Sequence, residues 1–548
     1  MNTLSFSTGQ SCRWLFSRLL FIFILVTAGC SSMLTNYKVR PAPVSNISDY
    51  NSYEQDFLYL VTLCEEVIPL ADKYFPKEKR SLMEKEILER LGGPNATKAV
   101  FVYSISKYLA GFTNQHAYVE ERSRYINGVF YPVLFHYYGN ELYVSNVATI
   151  YDPDIIGQKV KAINGRPVAE VEERIGETVN ADNLFSKRAM LVFWNFYSRP
   201  AFYNLSGLTD SENESLKLQF AQHMEVSIEP AEKILTWHHK EKVHPITAKS
   251  KHLYDGKTFA DQNYAYFQFN ACYDKTVILD GISGYVKWWI RPFVKLWLKY
   301  QFNKKDPSPL IAGYYDPERP VFKDYLATFI EDINRKKINN LIIDLRYNIG
   351  GGDLGSQLVY HLTRRHKLIG NKNFCYNPDI LERYSPEKGR AFRKWYRNKF
   401  GEDPPFKKLT PIPRGKYALF SHITDPDSLY YVPRDRPVFT GRVIVLANQN
   451  TKSASALLTA FLQDNNLATV IGTTTDNNPT GPTGYTPFRL PETGLKISLP
   501  SDYIERAVPE NGDVFKPDYW VENIVEDLLN GRDVVFEKAL ELLGIHSN

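Results

Sequence analysis

Ser453 follows the apolar run Val443-Ile444-Val445-Leu446-Ala447 and stands where the pattern turns helical, in Asn450-Thr451-Lys452-Ser453-Ala454-Ser455-Ala456-Leu457-Leu458. A hydroxyl at a helix start lies near unpaired backbone N–H groups and the positive end of the helix dipole, a place that favours an oxyanion. About a hundred residues earlier a second unit has the same plan: the apolar strand Asn340-Leu341-Ile342-Ile343-Asp344-Leu345 runs into Gly350-Gly351-Gly352. Glycine amides can approach a ligand closely because no side chain blocks them. Two strand-turn-helix units that bring a glycine backbone and a serine hydroxyl to one sheet edge have the layout of a serine hydrolase.

These units sit in a chain of 548 residues, long enough for two to four domains. With 43% hydrophobic, 14% aromatic and 23% charged residues it is an ordinary globular protein, and a net charge of +5 over this length gives no argument for nucleic acid. The first thirty residues read as a secretory leader: Arg13 and Arg18, then Leu19 to Val26, then Thr27-Ala28-Gly29-Cys30, with no acidic residue before Asp49. The apolar run is short for a membrane span. Its ending resembles a bacterial lipobox, which makes Cys30 the expected lipidation site and the bacterial cell envelope, on its periplasmic or outer-membrane face, the expected location. Cys64, Cys272 and Cys375 remain, with neither a disulfide framework nor metal spacing.

Residues 31–52 read as a tether, and residues 53–124 as a helical N-terminal domain, with apolar spacing at Phe57, Leu60, Val61, Cys64 and Val67. Residues 125–230 carry short strands at 129–135, 141–144 and 159–165, a turn at Asn164-Gly165, and a helix at 168–175. The remainder, 231–548, holds the two units, with insertions at 276–320 and 371–437. In residues 284–300 large aromatics alternate with lysines, and no acid lies between Asp280 and Asp306. The segment suits a lid packed on the sheet, with Pro292 interrupting any continuous helix, or a bilayer interface. His238, His239 and His244 have no carboxylate or cysteine at ligand spacing, so no metal and no other cofactor is expected.

DLRYNIGGG followed by NTKSASALLTAFLQDNNLATVIG resembles the C-terminal processing, or tail-specific, serine peptidases. VKAINGRPVAEV (160–171) resembles the close of that family's PDZ-like module, and NGDVFKPDYWVE (511–522) its Gly-x-x-x-Pro-Asp tail. The resemblance implies an α/β core of crotonase or ClpP-like type behind a helical N-terminal domain and a small β-rich PDZ-like module. It implies a polypeptide substrate, an unfolded chain or a C-terminal tail. It makes Ser453 the nucleophile, and Gly350 or Gly351 with Ala454 the oxyanion hole. Asn478 stands where the Ser-Lys branch has its lysine, and Ala456 where a glutamate is usual. A neutral amide cannot take the serine proton.

The tricorn-like branch uses histidine instead, and GFTNQHAYV (111–119) matches that branch at His116-Ala117-Tyr118, with Gln115 in place of its serine. His116 is then the base, since imidazole titrates near neutrality. Glu510 is expected to complete the set, acting through Gln115. Asp344 and Arg346 are expected to pair and shape the glycine turn. The departures at Gln115, Ala456 and Asn478 leave an alternative, an inactive relative that binds or assembles polypeptides.

Overall fold

The computed structural model describes residues 49–545, apart from residues 121, 123–125, 127, 222–223, 233–235, 241, 286–288, 305–307, 309–310, 312, 366–367 and 414–420. The leader, Cys30 and nearly all of the tether lie outside the described residues.

The core is a six-stranded sheet in the order Tyr519–Trp520, Thr469–Gly472, Arg442–Ala447, Asn340–Asp344, Tyr264–Phe269, Tyr254–Phe259. All pairs are parallel except the last, an antiparallel hairpin at one edge. Asn340–Asp344 is buried throughout, as a strand covered on both faces must be. Its side chains alternate between two cores: Leu341, Ile343 and Leu345 face helices Phe322–Arg335, Leu354–Leu362 and Ala454–Asp464, while Ile342 faces helix Val534–Leu542. The molecule is thus a mixed α/β protein whose central strands end at one edge in the glycine turn and the Ser453 turn.

The N-terminal part is helical, as its spacing predicts. Helix Ser52–Val67 starts in a capping box of Asn51 and Glu54 and buries Phe57, Leu60, Cys64 and Val67. Phe57, Phe75, Tyr108 and Phe112 lock it edge-to-face against helix Lys98–Ala110. After that helix the chain adds a short strand to a separate three-stranded sheet, Tyr118 opposite Ser498 and Val119 opposite Ile497. Asp56 accepts the amides of Glu492 and Thr493, each at 2.8 Å. The helical part is therefore pinned at two places to the hairpin Thr486–Arg489 and Lys496–Leu499.

In the β-rich part the helix falls at Val168–Ile175 as expected, and Asn164 and Gly165 take left-handed conformations in a two-residue hairpin. Two strands differ from the sequence reading. The first begins at Val133 and not at Val129, because Pro132 has no N–H for the ladder. The segment 159–165 changes partners midway: Val160 N–H donates to Leu142 and Lys161 N–H to Gln219, so only Ala162–Ile163 remains a strand. Pro292 lies in the first turn of helix Arg291–Phe302 and separates it from Lys275–Tyr285. Cys64, Cys272 and Cys375 are free and buried.

Candidate active site

Asn348 builds the glycine turn. It is fully buried; its Nδ2 donates to Phe269 O at 2.8 Å, and its Oδ1 accepts Gly350 N–H at 2.9 Å. Its own carbonyl accepts Lys452 N–H at 2.8 Å and Ser455 Oγ–H at 3.0 Å, so one residue joins the two units. Cys272 brackets the turn, donating to Gly350 O at 2.9 Å and accepting Gly352 N–H at 2.8 Å. Gly350 and Gly351 have φ of +81° and +133°, which only glycine adopts freely. A Cβ on Gly350 would lie 2.8 Å from Ser453 Cβ and 2.7 Å from Lys452 O. The turn is pressed directly against the nucleophile.

These bonds decide between the two glycines. The Gly350 amide is committed to Asn348, whereas among the described residues neither Gly351 N–H nor Ala454 N–H has an acceptor. Gly351 and Ala454 both line one cleft, so the free donors converge on a common space. Of the two glycines the sequence proposed, only Gly351 has an amide left free to donate among the described residues, and Gly350 is the residue that lets the turn approach.

Ser453 occupies φ 50°, ψ −119°, a conformation that costs a non-glycine residue roughly 1–3 kcal/mol. It stands at the N-cap of helix Ala454–Asp464, directly before Ala454, which lines the cleft. The surroundings over-determine this conformation: Ser453 N–H donates to Asn477 Oδ1, and Thr451 Oγ–H to Leu345 O at 3.0 Å. Lys452 is turned elsewhere, its Nζ 3.9 Å from Asp476 and 4.8 Å from the centre of the Phe193 ring. Asn478, in the position of the missing lysine, donates through its side chain to Asp182 O at 3.1 Å.

His116 sits in the turn between helix Lys98–Ala110 and the docking strand. Its N–H donates to Asn114 Oδ1 at 2.9 Å, and Asn114 Nδ2 reaches Pro482 O at 2.8 Å. Burial pushes the imidazole down to about 4, so it is neutral at pH 7 and free to accept a proton. The loop is tied toward Ser453 through Asp182 and the Asn477-Asn478 pair. Gln115 N–H donates to Asp182 Oδ1 at 2.8 Å, Asn478 N–H donates to Asp182 Oδ2 at 3.2 Å, and Asn477, the neighbour of Asn478, holds Ser453 N–H. No direct hydrogen bond joins His116 to the Ser453 hydroxyl among the described residues.

The expected relay through Gln115 and Glu510 is not formed. Gln115 Nε2 and His116 Nδ1 are each buried without a hydrogen-bond partner. Glu510 is exposed in the turn Pro509–Asn511 and makes no hydrogen bond or ion pair among the described residues. The reason is the clamp below it: Arg506 pairs bidentately with buried Asp464, which also takes Asn511 Nδ2 at 2.7 Å, and this fixes the turn with Glu510 outward.

Asp344 and Arg346 do pair, at 2.7 Å, but Arg346 equally grips Asp533 at 2.8 Å, from the far end of the chain. The sequence reading also missed Asn348, Asn477 and Asp182. Only Asn477 left a signal, in the polar run Thr473–Asn478 that follows a buried strand and is itself largely buried. His238 and His239 lie on a strand, where His239 meets Asn146, and His244 faces Thr247. Among the described residues no group of three histidine, cysteine or acidic side chains could hold a metal ion.

The cleft beside the oxyanion donors encloses about 530 Å³. Val359, Leu457, Leu458, Phe461 and Ile504 form its walls, and His422 Nε2 lies 2.7 Å from Asp353 Oδ2, both residues also lining it. Such a site accepts an apolar side chain next to a carbonyl poised for attack.

Residues 319–519 match the model of peptidase family S41, the family of the C-terminal processing peptidases. The span includes Gly351, Ser453 and Ala454, and leaves His116 upstream. No curated protein matches the chain. Among the solved structures that share the fold along nearly the whole chain are two of mature CPAF. Mature CPAF is 15% identical with a TM-score of 0.58, covering 91% of this chain and 98% of that one. Mature CPAF complexed with lactacystin is 15% identical with a TM-score of 0.60, covering 91% and 99%. With a strained serine, two free amides and an apolar cleft inside the matched region, the chain is a serine peptidase by its S41 domain.

Proposed function

We propose that this serine peptidase is an endopeptidase of the histidine-based, tricorn-like branch, which cleaves unfolded chains or C-terminal tails. Ser453 attacks the scissile carbonyl, His116 takes its proton and returns it to the leaving amine, and the Gly351 and Ala454 amides receive the oxyanion. The observation that carries the reading is the set of bonds joining the two loops: Ser453 to Asn477, and neighbouring Asn478 through Asp182 to Gln115 beside a neutral His116. The rival base, Lys452, faces Asp476. The apolar cleft supports a preference for an apolar residue on the acyl side of the cut. The β-rich module, PDZ-like in this reading, admits the substrate chain by adding it as a strand.

The enzyme is lipid-anchored at Cys30 in the bacterial envelope. Helix Arg291–Phe302 supports a second membrane contact: Trp289, Phe293, Leu296 and Tyr300 are exposed at helical spacing on one face, while Leu298 is buried and Arg291, Lys295 and Lys299 form a basic row. A fluorophosphonate probe and labelled casein test the catalytic reading together. Wild type is labelled at Ser453 and cleaves casein, and Ser453→Ala does neither. An unlabelled wild type, or a cleaving Ser453→Ala, would overturn it.

A further inference from the structure

We propose that Asp182 is a positioning residue for this reaction: its carboxylate ties the loop that carries His116 to the loop that holds Ser453, and does so fully only while ionised. The inference rests on the reading of Ser453 and His116 as nucleophile and base.

Asp182 comes from a third segment, just before helix Leu184–Phe193, and meets the two loops at their junction. Its Oδ1 accepts Gln115 N–H at 2.8 Å and its Oδ2 accepts Asn478 N–H at 3.2 Å. Asn477, the neighbour of Asn478 on that loop, accepts Ser453 N–H. The Asp182 carbonyl takes Asn478 Nδ2 at 3.1 Å, and neighbouring Asn183 donates to Thr475 O and Asp476 O at 3.2 and 3.3 Å. Each oxygen therefore serves a different loop. Gln115 and Asn478 lie more than three hundred residues apart in sequence, and this one side chain spans them.

No cation sits on this carboxylate. The charged group nearest in effect is Asp476, also buried, which takes a hydrogen bond from Ser186 and has Lys452 Nζ at 3.9 Å. His116 on the adjoining loop is neutral, and the Tyr74 phenol is the other titratable group that feels the charge. Burial, reinforced by Asp476, outweighs the Gln115 and Asn478 amide donors and pushes the Asp182 carboxyl up to about 7. Above that pH both oxygens accept. Below it one oxygen carries a proton and must donate, so an amide from one of the two loops loses its acceptor.

The consequence is an acid limb in the wrong place for the base. His116, pushed down to about 4, stays competent far below neutrality. Asp182 makes catalysis fall off near 7 instead. Asp182→Asn imitates the protonated state at every pH, since its amide NH₂ donates where an oxygen accepted.

The test is kcat/KM for cleavage of a quenched fluorescent casein by the full chain from pH 4 to 9, with thermal unfolding recorded for each variant. Wild type is expected to lose up to about tenfold on going from pH 8 to 6, the limit set by one group titrating near 7 and within the scale of one charge-assisted hydrogen bond. Asp182→Asn is expected to run at pH 8 near the wild-type rate at pH 5.5, and to change less than about twofold between those values. A purely structural role would lower the rate by one factor at every pH and leave the step in place. A step near 7 that persists in Asp182→Asn overturns the proposal. So does a wild-type profile with no step above pH 5, an outcome that needs no variant to fold. Should His116→Ala keep full activity, the underlying reading fails; should it be inactive while Asp182→Asn keeps the step, only this inference fails.

Discussion

Gly350→Ala separates the cost of a backbone conformation from the cost of contact with the nucleophile. At φ +81° an alanine pays roughly 1–2 kcal/mol for the left-handed region alone. Its methyl would also lie 2.7 Å from Lys452 O and 2.8 Å from Ser453 Cβ, distances at which something must move. Overpacking of that order costs about 1–3 kcal/mol more, for a total near 2–5 kcal/mol. The cheapest relief is to push the strained Ser453 turn outward, and a displacement approaching 1 Å costs about 100-fold in rate. Gly207→Ala is the control: it has φ +72° and no atom within 4 Å of its would-be methyl. The expected outcome is a loss of about 1–2 kcal/mol in urea unfolding and normal fluorophosphonate labelling for Gly207→Ala. For Gly350→Ala the expectation is a larger loss and labelling slowed at least about 100-fold. Equal, near-normal labelling of both variants would refute the claim that the glycine turn is packed against Ser453.

Other perturbations follow from the same contacts. Arg346→Met strands buried Asp344 and Asp533, and urea unfolding should show a loss of about 3–5 kcal/mol. Glu510→Gln, at an exposed carboxylate bonded to nothing described, should leave casein cleavage within about twofold of wild type, a substitution distant from any partner being nearly neutral. His361 is buried, donates through Nδ1 to Pro437 O at 2.8 Å, and is pushed by burial down to about 4. The unfolded chain then binds the proton more tightly, so the stabilisation is complete above the unfolded value near 6.5 and is lost as pH falls toward 4. The stability gap between wild type and His361→Asn should accordingly shrink by about 2 kcal/mol from pH 7 to pH 5.

What the sequence disclosed was local, and what it hid was long-range. Ser453, the glycine run and the helix at Val168–Ile175 could be read because a strand, a turn and a helix are written in neighbouring residues. His116 could be placed only through resemblance, since it lies in another part of the fold and outside the matched S41 region. The choice of Gly351 over Gly350 hangs on the direction of one side chain, Asn348, which spacing does not encode. Glu510 was misplaced for a similar reason: proximity along the chain to the family tail said nothing of Asp464 and Arg506, which hold that turn outward. Asp182 was invisible because its role exists only once loops near 115, 182 and 478 have met.

The central claim is that a histidine from the N-terminal part serves a serine in the S41 domain, and its most direct measurement is the single-turnover rate of peptide cleavage by His116→Ala at pH 8, with fluorophosphonate labelling of Ser453 followed in parallel. The account predicts a folded protein whose cleavage and labelling both drop by about 100- to 10,000-fold, the range of a lost general base. A His116→Ala enzyme that cleaves and labels at the wild-type rate would contradict it.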